Sequence, residues 1–477
     1  MSKQNHTKLK QYKYLKKLFW IFLLVLILVS IYLLDNPPTS ISYTNTILAL
    51  GITWMGLIPS LEYIANPQRP PFPFFPMVGL YYGLAYGLPM FASDFAVHYR
   101  FPLSKVSNEA LLLTFFGIAG MNASFFISKS LLWKKVSTIR VTGKITRNKL
   151  LILAWLLLIG HLGNITIPYI REIPSLTQFL EPSKYIAYGI FYILFKYRAL
   201  PRTNILPLFL VTFLIIAINL ATGLMAQLIL LIVFLIILIW YETKRLPIIT
   251  ITILILMMLI LNPVKGQYRA SVNNGATGIQ SIENSIKNSQ AFVKLAFDSY
   301  QNDSKNNLGN TLDNNSGLAS VINRTAYINI LSEVVKDTPA RVPYWNGQTY
   351  MPLFTKFVPR FLWPDKPTDS ICNEFGRRYS YFGNRNDFST CFRVPWIVEM
   401  YANFGAEGVL FGMPLCGLLL SFLDQKFNQP SINFLEFLLG ATILLQLVYQ
   451  EANFSLMIGN ALLLPISFLL LFRFWFK

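Results

Sequence analysis

Residues 204–241 read NILPLFLVTFLIIAINLATGLMAQLILLIVFLIILIWY and contain no charged side chain. One straight membrane-crossing helix needs about 20 residues, so 38 uncharged, mostly apolar residues are too many for one span and enough for two. The pentapeptide NLATG (219–223) supplies Asn and Gly, which favour a turn. The stretch is therefore expected to form a tight helical hairpin inside a bilayer. That reading sets the fold class for the whole chain.

The rest of the composition agrees. Of 477 residues, 54% are hydrophobic and 13% charged, and the mean hydropathy is +0.46. Soluble domains carry about twice that charge. The expected class is an all-α polytopic membrane protein. Spans are expected at about 15–34, 44–64, 74–92, 109–128, 150–168, 184–197, 204–219, 223–241, 247–262, 403–423, 434–449 and 455–472. That makes about 12 transmembrane helices, with a large, partly helical extracytoplasmic loop between helices 9 and 10. In domain terms, residues 1–262 form an N-terminal membrane bundle, 263–398 the loop region, and 399–477 the C-terminal membrane helices. The basic N-terminus before LFWIFLLVLILVSIYLL (18–34) resembles the start of a signal peptide. Its apolar run is long and no small-residue cleavage site follows, so it reads as a retained first span.

Net charge is +19. With no basic soluble domain present, this points to membrane orientation, anionic lipid or an anionic substrate, and away from nucleic acid. Basic residues mark the cytoplasmic side. If the N-terminus is cytoplasmic, 22 of the 41 Lys/Arg fall in cytoplasmic segments and four in short outer loops. The other 15 lie in 263–398, which is too long to count under that rule. KSLLWKKVSTIRVTGKITRNK (129–149) alone has seven bases and no acid. Both termini are expected in the cytoplasm, and 263–398 outside.

Within that outer segment, 271–300 has apolar residues near helical spacing, and 301–316 is an Asn-rich linker. A second amphipathic helix is expected at 317–337, capped by Ser316 and followed by Pro339. Residues 338–398 are irregular and rich in Pro, Trp, Tyr and Gly.

Several chemistries are absent from the sequence. There is no phosphate-binding Gly-rich loop with Lys, no nucleophile elbow, no zinc-binding HExxH and no Asp-x-Asp pair. Cys372, Cys391 and Cys416, with three histidines, lack metal-ligand spacing. No metal and no cofactor is expected. The positive signal lies in 324–412, where Arg324, Arg360, Lys366, Arg377 and Arg393 accompany Asp365, Asp369 and Glu399. Tyr327, Trp363, Trp396 and Tyr401 are interleaved with them. Arginine binds phosphate through two points and stays charged. Aromatic rings stack on sugars, and a nearby carboxylate can take a hydroxyl proton. These are the parts needed for glycosyl transfer with a diphosphate leaving group.

NRTAYINILSEVV (323–335), NGQTY (346–350), VPRFLWPDKP (358–367) and EMYANFGAEGVLFGMPLCG (399–417) resemble motifs of the Wzy-type oligosaccharide repeat-unit (O-antigen) polymerases, in the same order. The motifs cover about 90 residues. Members of that family often carry TGSRG in the middle hairpin, where this chain has ATGLMAQ (221–227), so no site is assigned there. The resemblance implies a metal-independent membrane glycosyltransferase in the bacterial inner membrane. It would act on undecaprenyl-diphosphate-linked oligosaccharides, in contact with membrane lipid and with a chain-length regulator as partner. A growing glycan would pass from its lipid carrier to a new lipid-linked repeat unit. A lipid-linked O-antigen ligase is the neighbouring alternative. A transporter or flippase of such lipids is the alternative from another class.

Each candidate has a plainer reading. Arg360 binds diphosphate or anchors at the interface. Arg324 and Tyr327 share a helix face and contact substrate or solvent. Lys366 contacts substrate or pairs with Asp365. Trp363 stacks on sugar or packs a Pro-rich turn. Arg377, Arg393 and Tyr401 are further substrate-binding candidates. Glu399 is the first choice of general base, or else a helix cap; Asp365 is its rival. His161 and Glu451 are functional groups or satisfied polar contacts. A Cys372–Cys391 bridge would close a loop of about 20 residues on the oxidising side.

Overall fold

The structure, a computed structural model, describes residues 2–66, 68–94, 102–171, 173–221, 225–243, 247–256, 290, 294, 321–322, 324–356, 358, 363, 365, 370–384, 386–388 and 390–477. The described residues are helical, with no strand. In chain order the helices are α1 (Ser2–Asp35), α2 (Tyr43–Ala65), α3 (Phe74–Tyr82), α4 (Asn108–Leu131), α5 (Arg147–Thr166), α6 (Pro168–Arg171), α7 (Pro174–Lys196), α8 (Ile205–Ala221) and α9 (Met225–Thr243). Then follow α10 (Ile328–Asp337), α11 (Met351–Lys356), α12 (Ile371–Arg378), α13 (Trp396–Phe427), α14 (Phe434–Leu445) and α15 (Phe454–Trp475). Among the described residues, seven helices are long and apolar enough to cross a membrane.

In the apolar stretch 204–241 the described helices are α8, to Ala221, and α9, from Met225; residues 222–224, where the expected turn falls, lie outside the described residues. Elsewhere the elements depart from the sequence reading. The expected span 74–92 is α3 followed by a π-turn (Gly83–Gly87) and a 3-10 turn (Leu88–Ala92). Pro89 cannot donate to an α-helical ladder. The expected span 184–197 is longer, because α7 begins at Pro174 with proline in its first turn. The expected 434–449 contracts to the 12-residue α14. The described part of the expected 247–262 span is helical to residue 256. The expected 317–337 helix is interrupted at Ala326–Tyr327, where the Tyr327 N–H donates to the Ala85 carbonyl at 2.9 Å. The amphipathic helix expected in 271–300, the linker 301–316 and Ser316 lie outside the described residues.

Two compact units form. One comprises Met1–Ile139, Ile322–Asn433 and Ile443–Leu463; the other comprises Arg140–Val321, Phe434–Thr442 and Leu464–Lys477.

In the first unit, α4 packs along α13, and α2 packs on α3 and α4. Small residues permit the close approach. A side chain at Gly120 would strike Pro414 at 2.9 Å, and one at Gly56 would strike the Gly79 carbonyl and Gly83 at 2.7 Å. Where α4 meets α13, the Ser128 and Ser421 hydroxyls bond at 2.5 Å and Lys129 pairs with Asp424 at 2.6 Å. In the second unit, α5 packs against α7, and Tyr241 stacks on Phe437 with ring centroids 3.9 Å apart.

Candidate functional site

The site belongs to the first unit and starts from a break in α13. Gly405 has φ 65° and ψ −149°, a conformation open almost only to glycine. The helix stops there and restarts, so the backbone on either side needs outside partners. Trp345 and the NGQTY stretch after it supply them. The Trp345 N–H donates to the Ala402 carbonyl at 3.0 Å and the Asn346 N–H to the Asn403 carbonyl at 3.3 Å. The Asn403 side chain completes the junction. Its Oδ1 accepts from the Gly347 N–H at 2.9 Å, and its Nδ2 donates to Thr349 Oγ1 and to the Glu399 carbonyl, each at 2.8 Å. Two stretches more than 50 residues apart are thus joined through one fully buried amide.

A third stretch closes the junction. Ser455 Oγ donates to the Thr349 carbonyl at 2.7 Å. The Phe454 N–H, first in α15, donates to Glu399 Oε2 at 2.6 Å. Glu399 is 0% exposed. It therefore caps α15, not its own helix, and lies beneath the surface. Tyr350 stacks over Phe404 at 6.2 Å and meets Phe454 edge-on at 5.8 Å. Past this point a cleft of about 580 Å³ follows α13, lined by Tyr350, Phe404, Glu407, Phe411, Leu415 and Phe454 among others.

A second cluster forms around Glu451. Its Oε2 accepts from the Arg393 guanidinium and from the Tyr327 hydroxyl. Arg393 Nη1 also donates to the Tyr327 oxygen at 2.7 Å. Burial, then Tyr449 and Glu451, hold the Tyr327 hydroxyl far above its ordinary pKa of 10.0, so it remains a donor. The Tyr327 ring lies 6.3 Å from Tyr81, whose ring meets Tyr449 edge-on at 5.2 Å. Tyr82 donates to Gln450 Oε1 at 2.6 Å. The Arg393 side chain is 31% exposed. Among the described residues its two hydrogen bonds both come from Nη1, and none is made there by Nη2 or Nε.

The remaining candidates are dispersed. Arg377 donates from Nε to Asn373 Oδ1 at 2.9 Å and lies over the Phe388 ring at 4.4 Å. Both contacts serve the segment that the Cys372–Cys391 disulfide closes. Tyr401 is buried. Arg324 is half-buried, three residues before Tyr327, while Trp363 and Asp365 are exposed. Arg360, Lys366 and Asp369 lie outside the described residues. Among those described, no group of three or more His, Cys, Asp or Glu could hold a metal.

The structure thus brings Arg393 and Tyr327 together and adds Glu451, one of several polar groups near helix ends in the sequence. The junction on Asn403 was not legible, because an asparagine in ANFG gives no sign of the loop 56 residues away that it binds.

Residues 126–477 match the family described as Domain of unknown function (DUF8712). The chain belongs to that family. No curated protein and no solved structure matches it.

Proposed function

We propose that the chain is a metal-independent membrane glycosyltransferase that polymerises lipid-linked oligosaccharide repeat units. In this reading it has about twelve spans, both termini are cytoplasmic, and the reaction faces the outer side of the bacterial inner membrane. The support is the ordered set of motifs and, above all, the state of Arg393. One nitrogen is fixed by Glu451 and Tyr327, and among the described residues the other two make no hydrogen bond on a partly exposed side chain. A guanidinium held in advance and aimed at developing charge suits a departing diphosphate. Arg324, Arg360 and Lys366 are further cations for the same anion. Asp365, the exposed carboxylate, takes the acceptor proton, and Trp363 stacks on the sugar. Glu399 acts through the fold, by fixing the start of α15 against α13.

The test supplies purified undecaprenyl-diphosphate-linked repeat units to the purified chain in lipid nanodiscs. A ladder of longer glycans, with release of undecaprenyl diphosphate, is expected. Transfer to a lipid A-type acceptor without a ladder would indicate a ligase. Movement of the lipid between leaflets without release of diphosphate would indicate a transporter.

A further inference from the structure

The second unit holds a buried ionic cluster that the proposed transfer does not use. Thr177, Glu181, Lys184 and Tyr188 recur on one face of α7, at helical spacing. Each meets a polar partner on another helix. Thr177 Oγ1 donates to Asn164 Oδ1 at 2.9 Å. His161 Nδ1 lies 3.6 Å from Glu181 Oε2. Lys184 Nζ donates to Gln227 Oε1 at 2.8 Å, and Tyr188 donates to Thr212 Oγ1 at 3.1 Å. The resulting seam runs about 16 Å along α7 at 1.5 Å per residue.

Lys184 is its centre. The residue is 2% exposed, and its ammonium also donates to Glu181 Oε1 at 2.5 Å and lies over the Tyr185 ring at 5.4 Å. A cation buried among apolar helices needs an anion. The anion at hand is the Glu181 carboxylate, whose side chain is 31% exposed. Lys184 therefore meets the surface through a group that can turn outward. The ammonium has three protons, and two hydrogen bonds are made to Glu181 and Gln227. Beside them His161 is 1% exposed; among the described residues neither ring nitrogen meets a full hydrogen bond, and Nδ1 approaches Glu181 Oε2 at 3.6 Å. A buried polar ring so weakly satisfied is costly, and it shares the Glu181 carboxylate with Lys184.

We propose that Lys184, His161 and Gln227 form a binding site for a phosphate group, for which the Glu181 carboxylate competes on the same ammonium. A phosphate has more acceptor oxygens than a carboxylate. It can take the Lys184 ammonium, the Gln227 amide and an N–H from His161 together, while Glu181 turns to the surface. The setting among apolar helices favours a lipid headgroup over free phosphate as the source. The site is independent of the glycan transfer proposed above.

Binding of dioleoyl phosphatidate to the purified full chain in mixed micelles tests this, with dioleoyl phosphatidylcholine as the zwitterionic control. Lys184→Met should bind phosphatidate about tenfold more weakly. Glu181→Gln keeps an acceptor for Lys184 but removes the competing charge, so it should bind severalfold more tightly. A misfolded variant cannot imitate a gain. Displacement by an equal concentration of inorganic phosphate would support the site and assign it to free phosphate. Unchanged binding in Lys184→Met, or no gain in Glu181→Gln, overturns the proposal, because a purely structural ion pair predicts no gain.

Discussion

Glu399 and Phe454 are joined by a 2.6 Å hydrogen bond from the backbone N–H of one to the carboxylate of the other. The bond satisfies a donor at the start of α15 that would otherwise be orphaned, and a carboxylate there also complements the helix dipole. Removing the acceptor at this buried position should cost ~1–3 kcal/mol. Glu399→Ala is expected to unfold correspondingly earlier in a thermal melt. Glu399→Gln, which keeps a carbonyl oxygen, should lose less than half as much. A catalytic proton acceptor would give a different pattern, with Gln as inactive as Ala in the ladder assay while still well folded.

Arg393 carries the proposed contact with diphosphate. Arg393→Ala should lower the rate of polymerisation about 10²-fold, the usual loss when one pre-aimed donor is removed. Arg393→Lys keeps the charge but not the planar fork, so its rate should fall between the two. Glu451→Gln leaves the guanidinium less firmly held, and a milder loss is expected. Initial rates of ladder formation, measured with the folded fraction, check all three. A wild-type rate in Arg393→Ala would remove this residue from the reaction.

Tyrosine ionisation gives an alkaline signature. Burial, with Tyr449 and Glu451 next in effect, raises the Tyr327 pKa far above 10.0, and burial also raises that of Tyr379. Below pH 10 both states of the chain keep these protons, so the contribution to stability is constant. Above about pH 10 the unfolded chain loses them while the folded chain retains them, and stability falls as pH rises. Denaturant midpoints at pH 8, 10 and 11 should therefore drop only after pH 10. Tyr327→Phe should flatten part of that drop.

Gly405 stands at a φ of 65° that non-glycine residues rarely adopt, and a side chain there would meet the Tyr344 hydroxyl at 2.7 Å. Gly405→Ala is expected to cost ~1–3 kcal/mol from backbone strain, before any steric conflict. Tyr344→Phe in the same chain should relieve the second effect and leave the first. Yield of folded protein in detergent and its melting temperature are the measurements.

The Cys372–Cys391 bridge leaves Cys416 as the free cysteine. Under denaturing, non-reducing conditions one thiol per chain should react with maleimide, and three after reduction. The closed loop is of a length for which loss of the bridge costs ~3 kcal/mol in the chain-entropy model. Cys372→Ser is expected to make 371–392 the first segment cut by protease.

Patterning carried much of the helical layout. The charge-free run at 204–241 was enough to expect apolar helix there, because hydrophobic length answers directly to bilayer thickness, and the described residues 205–221 and 225–243 are helical. It failed at Phe74–Ala92, where composition is apolar throughout but Pro89 and close packing on α2 change the helix type. It failed again at Ala326–Tyr327, where a bond to Ala85 from another part of the chain outweighs local periodicity. At the site, Arg393 and Tyr327 stood out as residue types, but their shared partner Glu451 lies far along the sequence. The role of Glu399 was the hardest to read. A cap looks the same in sequence whether it serves its own helix or another.

The first unit also has a history in time. Phe72 exchanges two hydrogen bonds with the Asn428 side chain, at 2.9 and 2.7 Å, and the Tyr82 hydroxyl waits for Gln450, 368 positions later. At a synthesis rate of roughly 5–20 residues per second, that interval is roughly 20–75 s. Throughout it the early helices sit in the bilayer with buried polar groups and glycine-lined faces that have not met their partners. Until residue 450 has been made, the early α2–α4 helices lack these partners. Truncations before Asn428 should therefore expose α2–α4 to quality-control proteolysis.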